Sequence, residues 1–133
     1  MNSEQIILYL FIALALYLLI KRIWMAKTIK HYTPTEASDR LRNIRRVVLL
    51  DVRTLKERKV QSIKKSMHIP LAEISSRMDE LNKFRNYEII CYCKAGIRSL
   101  SAASKLKKNG FNVANLKGGI GQWNSEGLKL TGN

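Results

Sequence analysis

The residues most able to do chemistry lie in Cys91-Tyr92-Cys93-Lys94-Ala95-Gly96-Ile97-Arg98-Ser99, where an apolar run from Tyr87 to Tyr92 ends in a cysteine, a glycine and an arginine. A free thiol has a pKa of about 8.5 and attacks only as thiolate, so a working cysteine needs local positive potential. Three features here supply it. Lys94 and Arg98 carry charge, Gly96 permits backbone that turns successive N–H groups inward, and a helical pattern opening at Ser99 aims its positive end at the loop. Cys93 is therefore expected to be a nucleophile in a cup formed by Lys94, Ala95, Gly96, Ile97, Arg98 and Ser99, although free cysteine is also a common small core residue. Arg98 is expected partly to anchor an anionic donor and partly to brace the loop.

Positioning such a loop requires a buried strand before it and a helix after it. The strand is the run ending at Cys93, and the helix is predicted over Ser99–Asn109, with Leu100, Ala103 and Leu106 on one face and Gly110 as its stop. Upstream, Thr33-Pro34-Thr35-Glu36 has the form of a capping box and starts a helix to Asn43. The continuous apolar run Val47–Val52 reads as a buried parallel strand. A short helix at Thr54–Glu57, a strand at Ser66–Ile69 and helical patterns within Leu71–Leu81 follow. A strand at Val113–Leu116 and a helix over Ile120–Glu126 close the series. This alternation implies a parallel α/β architecture, in which ligands bind beyond the carboxyl ends of the strands, where Cys93 falls.

Four residues separate Cys93 from Arg98, and the resulting six-residue loop resembles the persulfide-forming loop of the rhodanese (thiosulfate sulfurtransferase) family. Protein tyrosine phosphatases and related dual-specificity phosphatases place five residues there, so a phosphatase or an arsenate reductase is the rival enzyme class. Other segments share the resemblance: Leu49-Leu50-Asp51-Val52-Arg53 with Glu57, Met67-His68-Ile69-Pro70, Gly110-Phe111-Asn112-Val113, and Leu116-Lys117-Gly118-Gly119-Ile120 with Trp123 and Gly127-Leu128. They run in the family's order across roughly residues 28–130. The resemblance implies a rhodanese-like open, mainly parallel sheet flanked by helices. It also implies persulfide chemistry on Cys93, structural roles for Asp51 and Arg53 near the site, and no metal or organic cofactor. Cys91 stands where the family usually has an aliphatic residue and is expected in the core. The chain departs from the family at Arg58, in place of an aromatic, and at Gln61-Ser62-Ile63 and Lys64-Lys65-Ser66, which places substrate choice rather than the cup in question. A non-catalytic docking module with the same fold is the rival outside enzymes.

Before this domain, Ile6–Ile20 carries no polar group except two tyrosine hydroxyls. Extended over residues 5–25, it would reach roughly 30 Å as a helix, the thickness of a bilayer's hydrocarbon core. Met1–Gln5 lacks the positive charge of a signal peptide's start, so an uncleaved anchor is expected, in contact with membrane lipid and with Trp24 at the interface. Residues 1–27 are thus assigned to anchor and connector, the latter covering Met25–Lys30, and residues 28–133 to the rhodanese-like domain. Lys21, Arg22, Lys27 and Lys30 follow the span and only Glu4 precedes it. That asymmetry predicts a single-pass protein with its N-terminus outside and its domain in the cytoplasm. Two cysteines two positions apart do not form a disulfide framework.

With 24 Lys and Arg against 10 Asp and Glu, the net charge is +14, which would ordinarily raise nucleic acid as a partner. The bases Arg40, Arg42, Arg45 and Arg46 have no interleaved aromatics, however, and attraction to anionic lipid is the simpler use for them. The expected partners are a small sulfane-sulfur donor or a persulfide-bearing protein. His31 and His68 have no Asp or Cys partner nearby in sequence and are read as structural, and Trp123 is expected in the core beneath the loop's helix.

Overall fold

The computed structural model describes residues 1–131, so the last two residues of the expected domain lie outside the described residues. It opens with helix α1, Ser3–Thr28, capped by Asn2, whose side chain accepts the Gln5 N–H at 2.9 Å while Gln5 returns the bond at 3.2 Å. Within it Ser3–Met25 is long and apolar enough to cross a membrane, and none of that span is buried against the rest of the chain.

The chain then alternates through β1 Lys30–Tyr32, α2 Pro34–Asn43, β2 Val47–Asp51, α3 Leu55–Val60, β3 Ser62–Ile63 and β4 Met67–His68. A 3-10 turn (Leu71–Glu73), a single α turn α4 (Ile74–Arg77) and a longer 3-10 stretch (Met78–Phe84) lead to β5 Glu88–Tyr92. The domain closes with α5 Ile97–Lys108, β6 Asn112–Leu116, α6 Gly119–Ser125 and β7 Leu130–Thr131. Five strands make a parallel sheet in the order β1-β6-β5-β2-β4, and β3 pairs antiparallel with β7. This is the parallel sheet flanked by helices that the resemblance implies, behind a long apolar helix.

Central strands β5 and β2 read as continuous apolar runs because both faces of the sheet are covered. Alternate β5 residues serve two cores. Ile89, Cys91 and Cys93 join Ala102, Ala103 and Leu106 of α5, whereas Ile90 and Tyr92 join Ala37 of α2 and Ile120 and Trp123 of α6. Trp123 is thus buried as expected but on the face of the sheet opposite α5, its indole N–H donating to the Lys129 carbonyl at 3.1 Å.

Two local differences from the sequence pattern have physical causes. Residues 25–30 are not a connector: α1 runs to Thr28 and β1 begins at Lys30, stabilised by pairing with β6 rather than by any apolar alternation of its own. Helix α5 starts at Ile97, two residues early, because Gly96 at φ 100° is the turn that launches it.

Candidate active site

The cup forms where β5 ends and α5 begins. Gly96 adopts the left-handed conformation that glycine tolerates, and its N–H then points back at Cys93, donating to Sγ at 3.1 Å. One turn later the Ser99 hydroxyl lies 3.3 Å from the same sulfur. Burial pushes the Cys93 thiol up, but the Ser99 hydroxyl and the N–H groups of Ser99, Gly96 and Ala95 outweigh it, leaving the thiol below its ordinary value. Sulfur at this position is stabilised as thiolate.

Behind the sulfur lies a buried polar relay. Ser99 donates to Asn115 Oδ1 at 2.6 Å, and Asn115 Nδ2 donates back to the Gly96 carbonyl at 3.2 Å while lying 3.3 Å from His31 Nδ1. A serine hydroxyl has a single proton. With Cys93 protonated, the thiol donates to Ser99 and Ser99 to Asn115; when the thiolate forms, the hydroxyl must rotate toward sulfur, leaving the backbone donors unchanged.

The cup is held from below by the start of α6. The Ile120 N–H donates to the Cys93 carbonyl at 2.9 Å and the Gly121 N–H to the Lys94 carbonyl at 3.1 Å. Such an approach is possible only because Gly119, at φ 58°, has no side chain. A Cβ there would overlap the Cys93 carbonyl oxygen and the Lys94 backbone.

Around the mouth, the hydrogen bonds described for Arg98 go to Glu57 and not to the sulfur. Arg98 forms a bidentate pair with Glu57 of α3 at 2.6 and 2.8 Å, and that pairing holds the Glu57 carboxyl down to about 2. Its attraction to Cys93 is a smaller effect. Lys94, Ala95 and Ile97 are exposed on the rim. Of the three expected sources of positive potential, hydroxyl and backbone donors are those that touch the sulfur, and Arg98 braces the loop against α3, one half of the mixed role expected of it.

Asp51 lies at the end of β2, opposite Tyr92 of β5, and Arg53 follows just past it. Asp51, fully buried, accepts from Arg53 through its N–H at 3.0 Å and its guanidinium at 3.0 and 2.8 Å, from Tyr92 at 2.9 Å and from Arg58 at 3.2 Å. Burial would raise its carboxyl, but the Arg53 and Tyr92 bonds outweigh it and lower it instead. Arg58, a departure from the family, also donates to the Ser66 hydroxyl and carbonyl at 3.0 and 2.7 Å. It ties the equally divergent Lys64-Lys65-Ser66 segment to β2.

Asn115 was not picked out from sequence. Its signal is a polar residue between Ala114 and Leu116 in the buried part of β6, where a buried amide needs partners. Among the described residues, no group of three His, Cys, Asp or Glu side chains is placed to hold a metal ion.

With this geometry in place, comparison with known proteins is decisive. The rhodanese-like domain family matches residues 33–126. The chain belongs to that family. It is 36% identical over 94 residues to a protein named sulfurtransferase from Allochromatium vinosum, covering 70% of this chain and 86% of that one. It is 32% identical over 122 residues to the uncharacterized protein YqhL of Bacillus subtilis, covering 91% of this chain and 93% of that one. A match covering so much of this rhodanese-family chain necessarily reaches into α1. Among solved structures, a rhodanese-like domain protein from Staphylococcus aureus superposes with a TM-score of 0.68 at 30% identity, over 76% of this chain and 97% of that one.

Proposed function

We propose that this protein is a single-pass, membrane-anchored sulfurtransferase in which Cys93 carries sulfane sulfur as a persulfide. The observation that carries the reading is the cysteine sulfur held by the Gly96 N–H at 3.1 Å and the Ser99 hydroxyl at 3.3 Å at the C-terminal end of β5. Sulfur transfer in general accords with the family and with the named relative.

The reaction runs in two half-reactions. In the first, Cys93 thiolate attacks the outer sulfur of a donor such as thiosulfate. An S–S bond forms to Cys93, the donor's S–S bond breaks, and sulfite leaves with the bonding pair. The terminal sulfur of the persulfide then carries the negative charge, and the inward N–H groups of Ala95 and Gly96 are the available donors for it. In the second, a thiophilic acceptor anion attacks that terminal sulfur and Cys93 leaves as thiolate, ready for another cycle. No proton or redox equivalent is needed from outside these partners.

Around this centre, Lys94 and the outer edge of the Arg98 guanidinium guide an anionic donor, which is either a small sulfane-sulfur compound or a persulfide-bearing protein. Residues 1–27 form the anchor and residues 28–133 the working domain. The basic flank Lys21, Arg22, Lys27 and Lys30 keeps that domain in the cytoplasm and the N-terminus outside.

The test is sulfite release from thiosulfate with a thiol acceptor. Wild type turns over and Cys93→Ser does not, whereas Cys91→Ser retains activity. Phosphate release from an aryl phosphate that depends on Cys93 and outpaces sulfite release would contradict the assignment.

A further inference from the structure

The polarity of the sheet separates two ends of the domain. All strands of the main sheet are parallel, so their N-terminal ends lie on one edge and the cup on the other. Helix α1 delivers the chain to the N-terminal edge, because it ends at Thr28 and β1 begins at Lys30. At that edge, Lys107 near the C-terminus of α5 donates to the Thr28 carbonyl at 2.7 Å, tying the last turn of α1 to the domain.

Three further turns reach the same edge, those preceding β2, β5 and β6. They place Arg45, Arg46, Arg85 and Lys108 in exposed positions beside Lys30. No acidic residue occurs in residues 27–30, 44–46, 85–87 or 105–112. Glu88, the carboxylate just inside this edge, is buried and already paired with Arg40 at 2.8 Å and with the Tyr32 hydroxyl at 2.8 Å. Beside the two arginines of the turn before β2, Ile44 is 40% exposed. An exposed aliphatic flanked by cations suits the headgroup boundary, where apolar and basic side chains work together.

Resting on the membrane-anchored reading above, we infer that this edge docks on the anionic headgroups of the leaflet into which α1 runs, so that the Cys93 cup opens away from the bilayer. The five residues of β5 span roughly 17 Å, about twice the screening length at physiological salt. Docking therefore leaves the cup's own electrostatics nearly untouched. Its substrates are water-borne or carried by proteins that approach from the aqueous side, and the tether fixes the orientation in which they meet the sulfur.

The test uses the full chain in nanodiscs of phosphatidylcholine alone or mixed with phosphatidylglycerol, footprinted with a water-soluble amine-acylating reagent and read residue by residue by mass spectrometry. Lys108 should be acylated roughly fivefold more slowly in the anionic discs, while Lys94 and Lys117 at the cup edge react equally in both. The variant Arg45→Gln/Arg46→Gln should recover much of the Lys108 rate. Equal Lys108 rates in both discs, or slowing at Lys94 and Lys117 that matches Lys108, would overturn docking by this edge while leaving the anchor in place. A chain recovered apart from both kinds of disc would overturn the anchor and docking together.

Discussion

Cys91 and Cys93 leave β5 on the same face, two residues apart, and both are buried, yet their thiols shift in opposite directions. Burial pushes the Cys91 thiol up to about 12, whereas the donors at the start of α5 bring Cys93 below its ordinary value. The strand treats the two residues alike. The difference arises where it stops: Cys91 is surrounded by apolar neighbours, while Cys93 is the first residue past the last rung, where chain reversal at Gly96 turns N–H groups and a serine hydroxyl onto the sulfur. The acidity of a thiol on this strand is set by strand termination more than by residue type.

The contrast predicts its largest effect in alkylation of the native protein. At pH 7 a neutral haloacetamide should modify Cys93 about 10³-fold faster than Cys91 or more, since the rate follows the thiolate fraction. Comparable labelling of both, measured by peptide mass spectrometry before unfolding, would remove the contrast. Gly119→Ala should come next. Its new Cβ meets the Cys93 carbonyl in a left-handed backbone, so the variant should lose about 2 to 4 kcal/mol of stability in denaturant unfolding and blunt Cys93 reactivity, leaving Cys91 as inert as before.

Smaller effects sharpen the comparison. Ser99→Ala removes one donor and keeps the backbone ones, and should slow Cys93 alkylation at pH 7 by roughly tenfold without moving the Cys91 rate. Arg98→Ala should slow persulfide formation from anionic thiosulfate more than alkylation by a neutral reagent, because only the former meets the cation. Arg45→Gln/Arg46→Gln, on the far edge, should change neither. Equal losses in the two variants would mean that overall charge governs the reaction.

The least effect belongs to the Glu57–Arg98 pair. Because the folded carboxyl titrates at about 2, below its ordinary value of 4.5, its stabilisation is present above pH 4.5 and is lost as pH falls through 2. The pair is partly exposed, so acid unfolding of Glu57→Gln should lack a slope worth only about 1 kcal/mol.

Much of this was legible in the residues. The apolar run into Cys93, the Gly96 turn and the alternation of elements are local patterns, and local patterns fix strands, helices and the loop between them. What escaped was set by tertiary pairing. Strand β1 exists because β6 offers it an edge, and β3 pairs with β7 across most of the domain's sequence. The face on which Trp123 packs depends on which side of the sheet α6 crosses. Arg98 shows the same limit at the site: its spacing from Cys93 can be read from sequence, but its commitment to Glu57, 41 residues away, depends on where α3 lies. Asn115 reaches the sulfur through Ser99 and Gly96, a relay that no spacing encodes.

The central claim, that sulfur is carried on Cys93 by virtue of the cup, is tested most directly by locating the sulfur itself. The full chain would be incubated with thiosulfate or glutathione persulfide, trapped with an alkylating reagent and digested, and the peptides spanning residues 91–98 sequenced by mass spectrometry. The account predicts one added sulfur atom on Cys93, none on Cys91, and no adduct in Cys93→Ser. Sulfur on Cys91, or an adduct that persists in Cys93→Ser, would contradict it.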